Sequence, residues 1–424
     1  MTEAVAQPVT AREFRAVGLV TAAHFLSHFY QFVLPPVLAL MAVRLDVGFT
    51  EMGAVLTVFS IATGLSQTPA GFLVDRLGAA RPLAAGLAIL GGSVALYGAA
   101  PNLWALIGLA AIAGMANSIF HPADFSILSD AVAERRVGRV FSLHAVSGNL
   151  GWVAAPGAML GLAALFDLDT AFAVVGLAGV ALAAVLAFAA RSIEPTSAPA
   201  PRTKASGPPK GGTTREGMAM LLTRAALMLF AFQMVYAMCF GGIRNFTAVA
   251  LPMLSALMAD VPIEAYLAGT ESGPITFAAA TSALTGYLFG ASVGNLAGGW
   301  AADVTHRPGV VFTVSILLLA VVTASLGAVA YGPFGATVAL ALAGVLQGSL
   351  LPARDMLVRR LAPPGGMGKL FGFTSSGLAL GNAVTPITFG VIMDLQAPAW
   401  IFYASAACML LALATYLRTE KEAA

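Results

Sequence analysis

Arg244 lies near the middle of a long apolar stretch, whereas most other basic residues sit at the ends of such stretches or between them. A guanidinium at bilayer depth costs about 3 kcal/mol on insertion scales and persists where it faces a protein interior or an aqueous cavity. Its planar fork of donors matches carboxylate or phosphonate oxygens, so it implies an anionic ligand group. Two further sets share this setting. His24, His28 and Gln31 are spaced i, i+4, i+7, and Asn117, His121 and Asp124 repeat the spacing, which puts each set on one helical face. Imidazole exchanges a proton near neutral pH, and a desolvated carboxylate beside it can be tuned to do the same. His121 and Asp124 are therefore the candidate proton-coupling pair. The plainer readings are histidines that serve packing and an Asp124 that pairs with Arg135, Arg136 or Arg139. The set His24, His28, His121 and Asp124 also has the donor chemistry of a divalent transition-metal site, against which stands the fixed positive charge of Arg244.

The elements that must position these residues are long and apolar. Of the 424 residues, 58% are hydrophobic and 10% charged, against about a quarter charged in a soluble domain, so the composition is that of an integral membrane protein. About 20 apolar residues cross the hydrocarbon core as a helix. Twelve such runs are expected, at 16–43, 50–74, 82–100, 103–129, 139–165, 170–190, 222–258, 276–302, 309–331, 334–358, 369–394 and 398–417. The run at 222–258 is long enough to tilt, break or project. Pro122 is expected to kink the fourth. Cys239 and Cys408 fall inside apolar runs and read as buried structural thiols rather than a disulfide framework. The polar start, Met1 to Thr10, shows no cleavable signal peptide.

Charge fixes an expected orientation. With both termini cytoplasmic, Arg12, Arg15, Arg76, Arg81, Arg135, Arg136, Arg139, Arg191, Arg307, Arg359, Arg360, Lys369, Arg418 and Lys421 fall inside, and Arg44 is the lone base outside. The stretch 191–221, rich in Pro, Ser, Gly and Thr, reads as a flexible cytoplasmic tether. It separates an N-terminal six-helix bundle, 1–190, from a C-terminal one, 222–424. The halves are repeats. Gly71-Phe72-Leu73-Val74-Asp75 follows the second run and Gly299-Trp300-Ala301-Ala302-Asp303 the eighth. At an offset of 230, Pro122 matches Pro352, Gly151 matches Gly381 and Pro156 matches Pro386; Leu34-Pro35 matches Leu251-Pro252. Parallel six-span repeats imply a site between the halves and access that alternates between the two sides.

At these residues the chain resembles a known group. Gly71-Phe72-Leu73-Val74-Asp75-Arg76-Leu77-Gly78-Ala79-Ala80-Arg81 is similar to the signature loop of major facilitator transporters. Ser118-Ile119-Phe120-His121-Pro122, Ser147-Gly148-Asn149-Leu150-Gly151 and the run with His24 and Ser27-His28 resemble the fosmidomycin-resistance group within it. The resemblance implies an all-α membrane protein of the major facilitator fold, with spans one, four, seven and ten lining a cavity. It also implies a charge lock in which Asp75 and Arg76, with Gly71 and the second copy's Asp303, gate the cytoplasmic side. Asp75 would face the start of span eleven near Gly368-Lys369.

Within that frame Arg244, Asn245, His24, His28, Gln31, Asn117, Tyr236 and Gln347 are the expected substrate-binding residues, with Gln233 and Asn295 as further donors. Phe29, Tyr30, Phe240 and Phe246 read as ordinary packing, and His144 and Asn149 as possible cavity residues. The glycines and Pro156 of Gly148–Gly157, echoed at Gly377–Pro386, read as close helix packing and a bend. No Walker loop or nucleophile arrangement occurs, so no enzyme activity, cofactor, resident metal or nucleic-acid partner is expected. The expectation is a monomeric proton-coupled transporter in a bacterial-type inner membrane. It would export a small anionic or amphiphilic compound; uptake of an organic anion and divalent metal transport are the alternatives.

Overall fold

The computed structural model describes residues 9–194, 222–262, 265–266, 271–305, 307–361 and 367–422. Among them the regular structure is helical throughout. Ten helical stretches are long and apolar enough to cross a bilayer, and Ala80–Ala95 and Phe277–Thr305 bring the crossings to twelve. The tether expected at 191–221 lies, beyond Glu194, outside the described residues.

The first crossing differs from its expected single run. It is α1, Ala11–Gln31, then a 3-10 turn at Pro35–Val37, then α2, Leu38–Leu45. Two consecutive prolines remove two backbone donors and block two turns of the helical ladder, so the chain resets its direction just beyond His28 and Gln31. The fourth crossing also breaks, into α5, Leu103–Asn117, and α6, Phe120–Ala131. Pro122 occupies the first turn of α6, where its missing N–H is tolerated. Asn117, at the end of α5, and His121, in the first turn of α6, therefore flank the break. The seventh crossing does not break: α9, Arg224–Leu257, runs through Pro252, which removes only one donor.

The other crossings are α3 (Phe49–Leu77), α4 (Ala80–Ala95), α7 (Glu134–Leu165), α8 (Leu168–Ile193), α10 (Phe277–Thr305), α11 (Pro308–Ala328), α12 (Pro333–Leu361), α13 (Met367–Asp394) and α14 (Ala399–Glu422). Lipid tails supply no hydrophobic drive between helices, so close packing relies on small residues. Gly151 of α7 lies against the backbone of Phe25 and Phe29 in α1, and Gly381 of α13 lies against the Met234 carbonyl in α9. These glycines are repeat mates, and each seats the fifth helix of its half on the first. In the second half Gly294 and Gly298 of α10 meet the backbone of Val345 and Ser349 in α12, while Gly344 and Gly348 of α12 meet Tyr287 and Ala291.

Between the halves, contact concentrates on the face opposite the termini. Gly53 of α3 abuts the Pro386 carbonyl of α13, the Thr57 hydroxyl donates to the Ala383 carbonyl at 2.6 Å, and Gly390 abuts the Phe49 carbonyl. Beyond Thr57, toward the termini face, only Ala70 and Val74 of α3 are buried.

Candidate functional site

Asp124 has no solvent exposure, and its environment is made by three helices. Its Oδ2 lies 3.1 Å from His24 Nδ1 of α1 and 3.7 Å from His144 Nε2 of α7. The His24 and His144 rings stack with centroids 3.6 Å apart; the His28 ring is 4.4 Å and the His121 ring 5.5 Å from His24. Four of the five histidines in the chain thus gather round one carboxylate. Asp124 Oδ1 and both nitrogens of His144 have no hydrogen-bond partner among the described residues. A buried polar atom left that way costs about 1–3 kcal/mol. His24 and His144 are buried, His28 is half-buried and His121 is exposed, so the cluster is open at the His121 edge.

The two expected stripes do face each other. Besides His24 and Asp124, the Ser27 hydroxyl donates to Asn117 Oδ1 at 2.9 Å across the same seam. His121 is not the hydrogen-bonded partner of Asp124; His24 is, with His144 beside it. His121 and Asp124 are three residues apart on one helix, and the Asp124 carboxylate reaches across to α1 and α7 instead of along α6. Among the described side chains Asp124 joins no arginine: Arg136 pairs with Glu13 and Arg12 with Asp130.

Gly148 makes room for the cluster. A methyl group at its Cα would lie 2.8 Å from His28 Nδ1 and 2.9 Å from His24 Nε2, so both imidazoles rest on bare backbone of α7. Trp152, one turn on, packs its ring against His28 with centroids 4.5 Å apart and planes tilted by 30°. Sequence reading named Gly148 in a family-like motif and as a packing glycine, and gave Trp152 no role. Its spacing from Gly148 on one helical face was the available signal.

In the other half, the Arg244 guanidinium donates from Nη2 to Asn382 Oδ1 of α13 at 2.9 Å, while its buried Nε has no partner among the described residues. No carboxylate pairs with it among those residues. The buried hydroxyls of Tyr287 of α10 and Tyr236 of α9 have no hydrogen-bond partner among the described residues. Arg354 lies over the Tyr236 ring at 5.2 Å and pairs with its neighbour Asp355 at 2.7 Å, the structural pairing that their adjacency suggests. Gln347 of α12 is half-buried. Gln31 and Asn245 are half-buried, and their side chains join no hydrogen bond among the described residues. Asn382 and Tyr287 were missed by sequence reading, although each is a lone polar tip in an apolar run. Of the expected packing aromatics, Tyr30 donates to the Val175 carbonyl at 2.8 Å and Phe240 sits edge-on to Tyr236.

The gating residues behave differently. Asp75 and Arg76 are exposed and form no ion pair among the described residues, and Gly71 has open space beside its Cα. The side chains of Asp303 and Lys369 lie outside the described set. At the opposite face, the Asp394 carboxylate of α13 accepts from the backbone N–H groups of Phe49, at 2.6 Å, and Thr50, at 2.9 Å, and from the Thr50 hydroxyl. Sequence reading assigned Asp394 no role.

The sequence model of the Major Facilitator Superfamily matches residues 20–270 and 236–424. An uncharacterised MFS-type transporter of Mycobacterium tuberculosis is 36% identical over 140 residues, 32% of either chain. The fosmidomycin resistance protein of Escherichia coli is 26% identical over 149 residues, 35% of this chain and 36% of that one. The matched stretches span about a third of the length of these curated relatives. A bacterial homologue of the human lysosomal transporter Spinster, solved inward-facing and unoccupied, has a TM-score of 0.75 at 14% identity and covers 98% of both chains. At that identity the likeness is one of fold.

Proposed function

The chain belongs to the Major Facilitator Superfamily, and on that premise we propose that it is a proton-coupled secondary transporter exporting a small anionic or amphiphilic compound. Family membership makes it a membrane carrier of small molecules rather than an enzyme. The observation that carries the finer reading is the division of charge between the halves. One half buries a carboxylate among four histidines; the other holds a guanidinium whose hydrogen-bond acceptor is a neutral amide. A proton delivered to Asp124 or His24 changes the charge of the first cluster without disturbing the second. An anionic group at Arg244 supplies the missing countercharge in the second. Because each ligand changes the electrostatics of one half, each biases how the halves rock, which is the requirement for coupling.

The closed seam at α3 and α13 supports a state open toward the termini face. The positive-inside pattern supports a cytoplasmic placement of that face, in a bacterial-type inner membrane. In that state substrate enters from the cytoplasm, as export requires. The similarity to the fosmidomycin resistance protein supports that direction by analogy.

The test is growth of a pump-deficient host on toxic anions, phosphonates including fosmidomycin, and lipophilic drugs, with wild type, Arg244→Ala, Arg244→Lys and empty vector at matched membrane expression. Wild type is expected to protect and Arg244→Ala to fail. Lysine, a point charge without the fork, is expected to protect only in part. Full protection by Arg244→Ala removes that residue from the site. Sensitisation by wild type makes the protein an importer and overturns export.

A further inference from the structure

The histidine cluster has a geometry that proton transfer alone does not require. We propose that His24, His121 and His144, with Asp124, form a binding site for one divalent transition-metal ion of the zinc type. One ring nitrogen from each histidine lies within 4.8 Å of the others. Three nitrogens bound to one zinc at about 2.0–2.1 Å stand roughly 3.4 Å apart in a tetrahedron. Rotations that move each ring by about an ångström therefore close the set.

Four observations agree on that ligand. Neither His144 nitrogen has a hydrogen-bond partner among the described residues, so no existing bond must be broken for it to ligate. Asp124 Oδ2 already holds His24 Nδ1 at 3.1 Å, the carboxylate–histidine arrangement that orients metal-bound imidazoles. The Asp124 carboxylate, held behind His24 in this way, offsets part of the ion's charge, and its Oδ1 is buried and unpartnered among the described residues. His121 is the exposed member, which gives the ion a route in. Three imidazole donors suit zinc, nickel or copper rather than magnesium or calcium, which take oxygen ligands. Gly148 confines His24 and His28 on the remaining side.

This site uses residues that the proton-coupling reading also uses, since metal and protons compete for the same lone pairs, but it does not depend on direction or cargo. The experiment is calorimetric titration of Zn²⁺ into the purified full-length protein in detergent, with Co²⁺ absorption as a second readout of tetrahedral coordination. Wild type and His306→Gln are expected to bind one equivalent. His144→Gln is expected to lose at least 10- to 100-fold in affinity, and the triple variant His24→Gln, His121→Gln, His144→Gln to lose the site and the intense Co²⁺ bands. Gel filtration and thermal melting confirm that each variant is folded, and His144→Gln alone serves if the triple variant is not. Unchanged affinity in folded His144→Gln, or no binding by wild type, overturns the proposal. Absence of zinc binding together with loss of proton dependence in Asp124→Asn overturns the metal site and leaves the transport reading standing.

Discussion

Asp394 offers the sharpest test of how the halves are held. Helix α3 is preceded by Gly48 at its N-cap, which has no side chain to cap the free N–H groups of the first turn. The cap comes instead from the other half, where Asp394 accepts from Phe49 N, Thr50 N and the Thr50 hydroxyl. Replacing a capping side chain by alanine costs about 1 kcal/mol, and a negative charge at a helix N-terminus adds about 0.3–1 kcal/mol when exposed. Because this cap joins α13 to α3, it exists only while the face opposite the termini is closed. Asp394→Ala should therefore weaken the closed state by about 1–2 kcal/mol and raise the ratio of open to closed roughly 5- to 30-fold. Asp394→Asn keeps an acceptor and loses only the charge, for a shift of roughly two- to five-fold. The assay is a spin-label distance measurement across that face, with labels at Leu165→Cys and Phe334→Cys, which are 77% and 83% exposed. Cys239 and Cys408 are replaced beforehand. Growth of the long-distance population in the order Ala, Asn, wild type is expected. Identical distributions in all three would refute the cross-half cap as a determinant of the equilibrium.

Other expectations concern the site and its frame. Asp124→Asn should leave folded protein in the membrane but make flux independent of an imposed pH gradient in proteoliposomes; unchanged proton dependence would remove Asp124 from coupling. Gly148→Ala places a methyl group 2.8–2.9 Å from two imidazoles, and such overpacking costs about 1–3 kcal/mol; transport should fall sharply, and a variant with full rate would show that the histidines move freely. Glu194 accepts from Ala79 N at 2.7 Å and Ala80 N at 3.2 Å, capping α4. Glu194→Ala should lower Tm by a few degrees, for about 1 kcal/mol lost, with transport retained, and an unchanged melting curve would count against the cap.

The twelve crossings, the repeat and the two polar stripes are legible in the linear chain because each is a one-dimensional property. Bilayer thickness sets the length of an apolar run, and a helical period of 3.6 decides which residues share a face. That is why spacing alone groups His24 with His28, and Asn117 with His121 and Asp124, and why Arg244 stands out. Partner choice is not legible, because it depends on how each helix is rotated and how deeply it packs. Asp124 could have reached His121, the arginines beyond it or a neighbouring helix; the close seating of α7 on α1 through Gly148 and Gly151 gives it His24 and His144. The seating of α13 on α9 likewise gives Arg244 an asparagine in place of a carboxylate. By sequence Asp394 is one more loop charge, and the packing of α13 against α3 brings it to a helix N-terminus 344 residues away. Local pattern decides what each helix presents, and only tertiary packing decides what it meets.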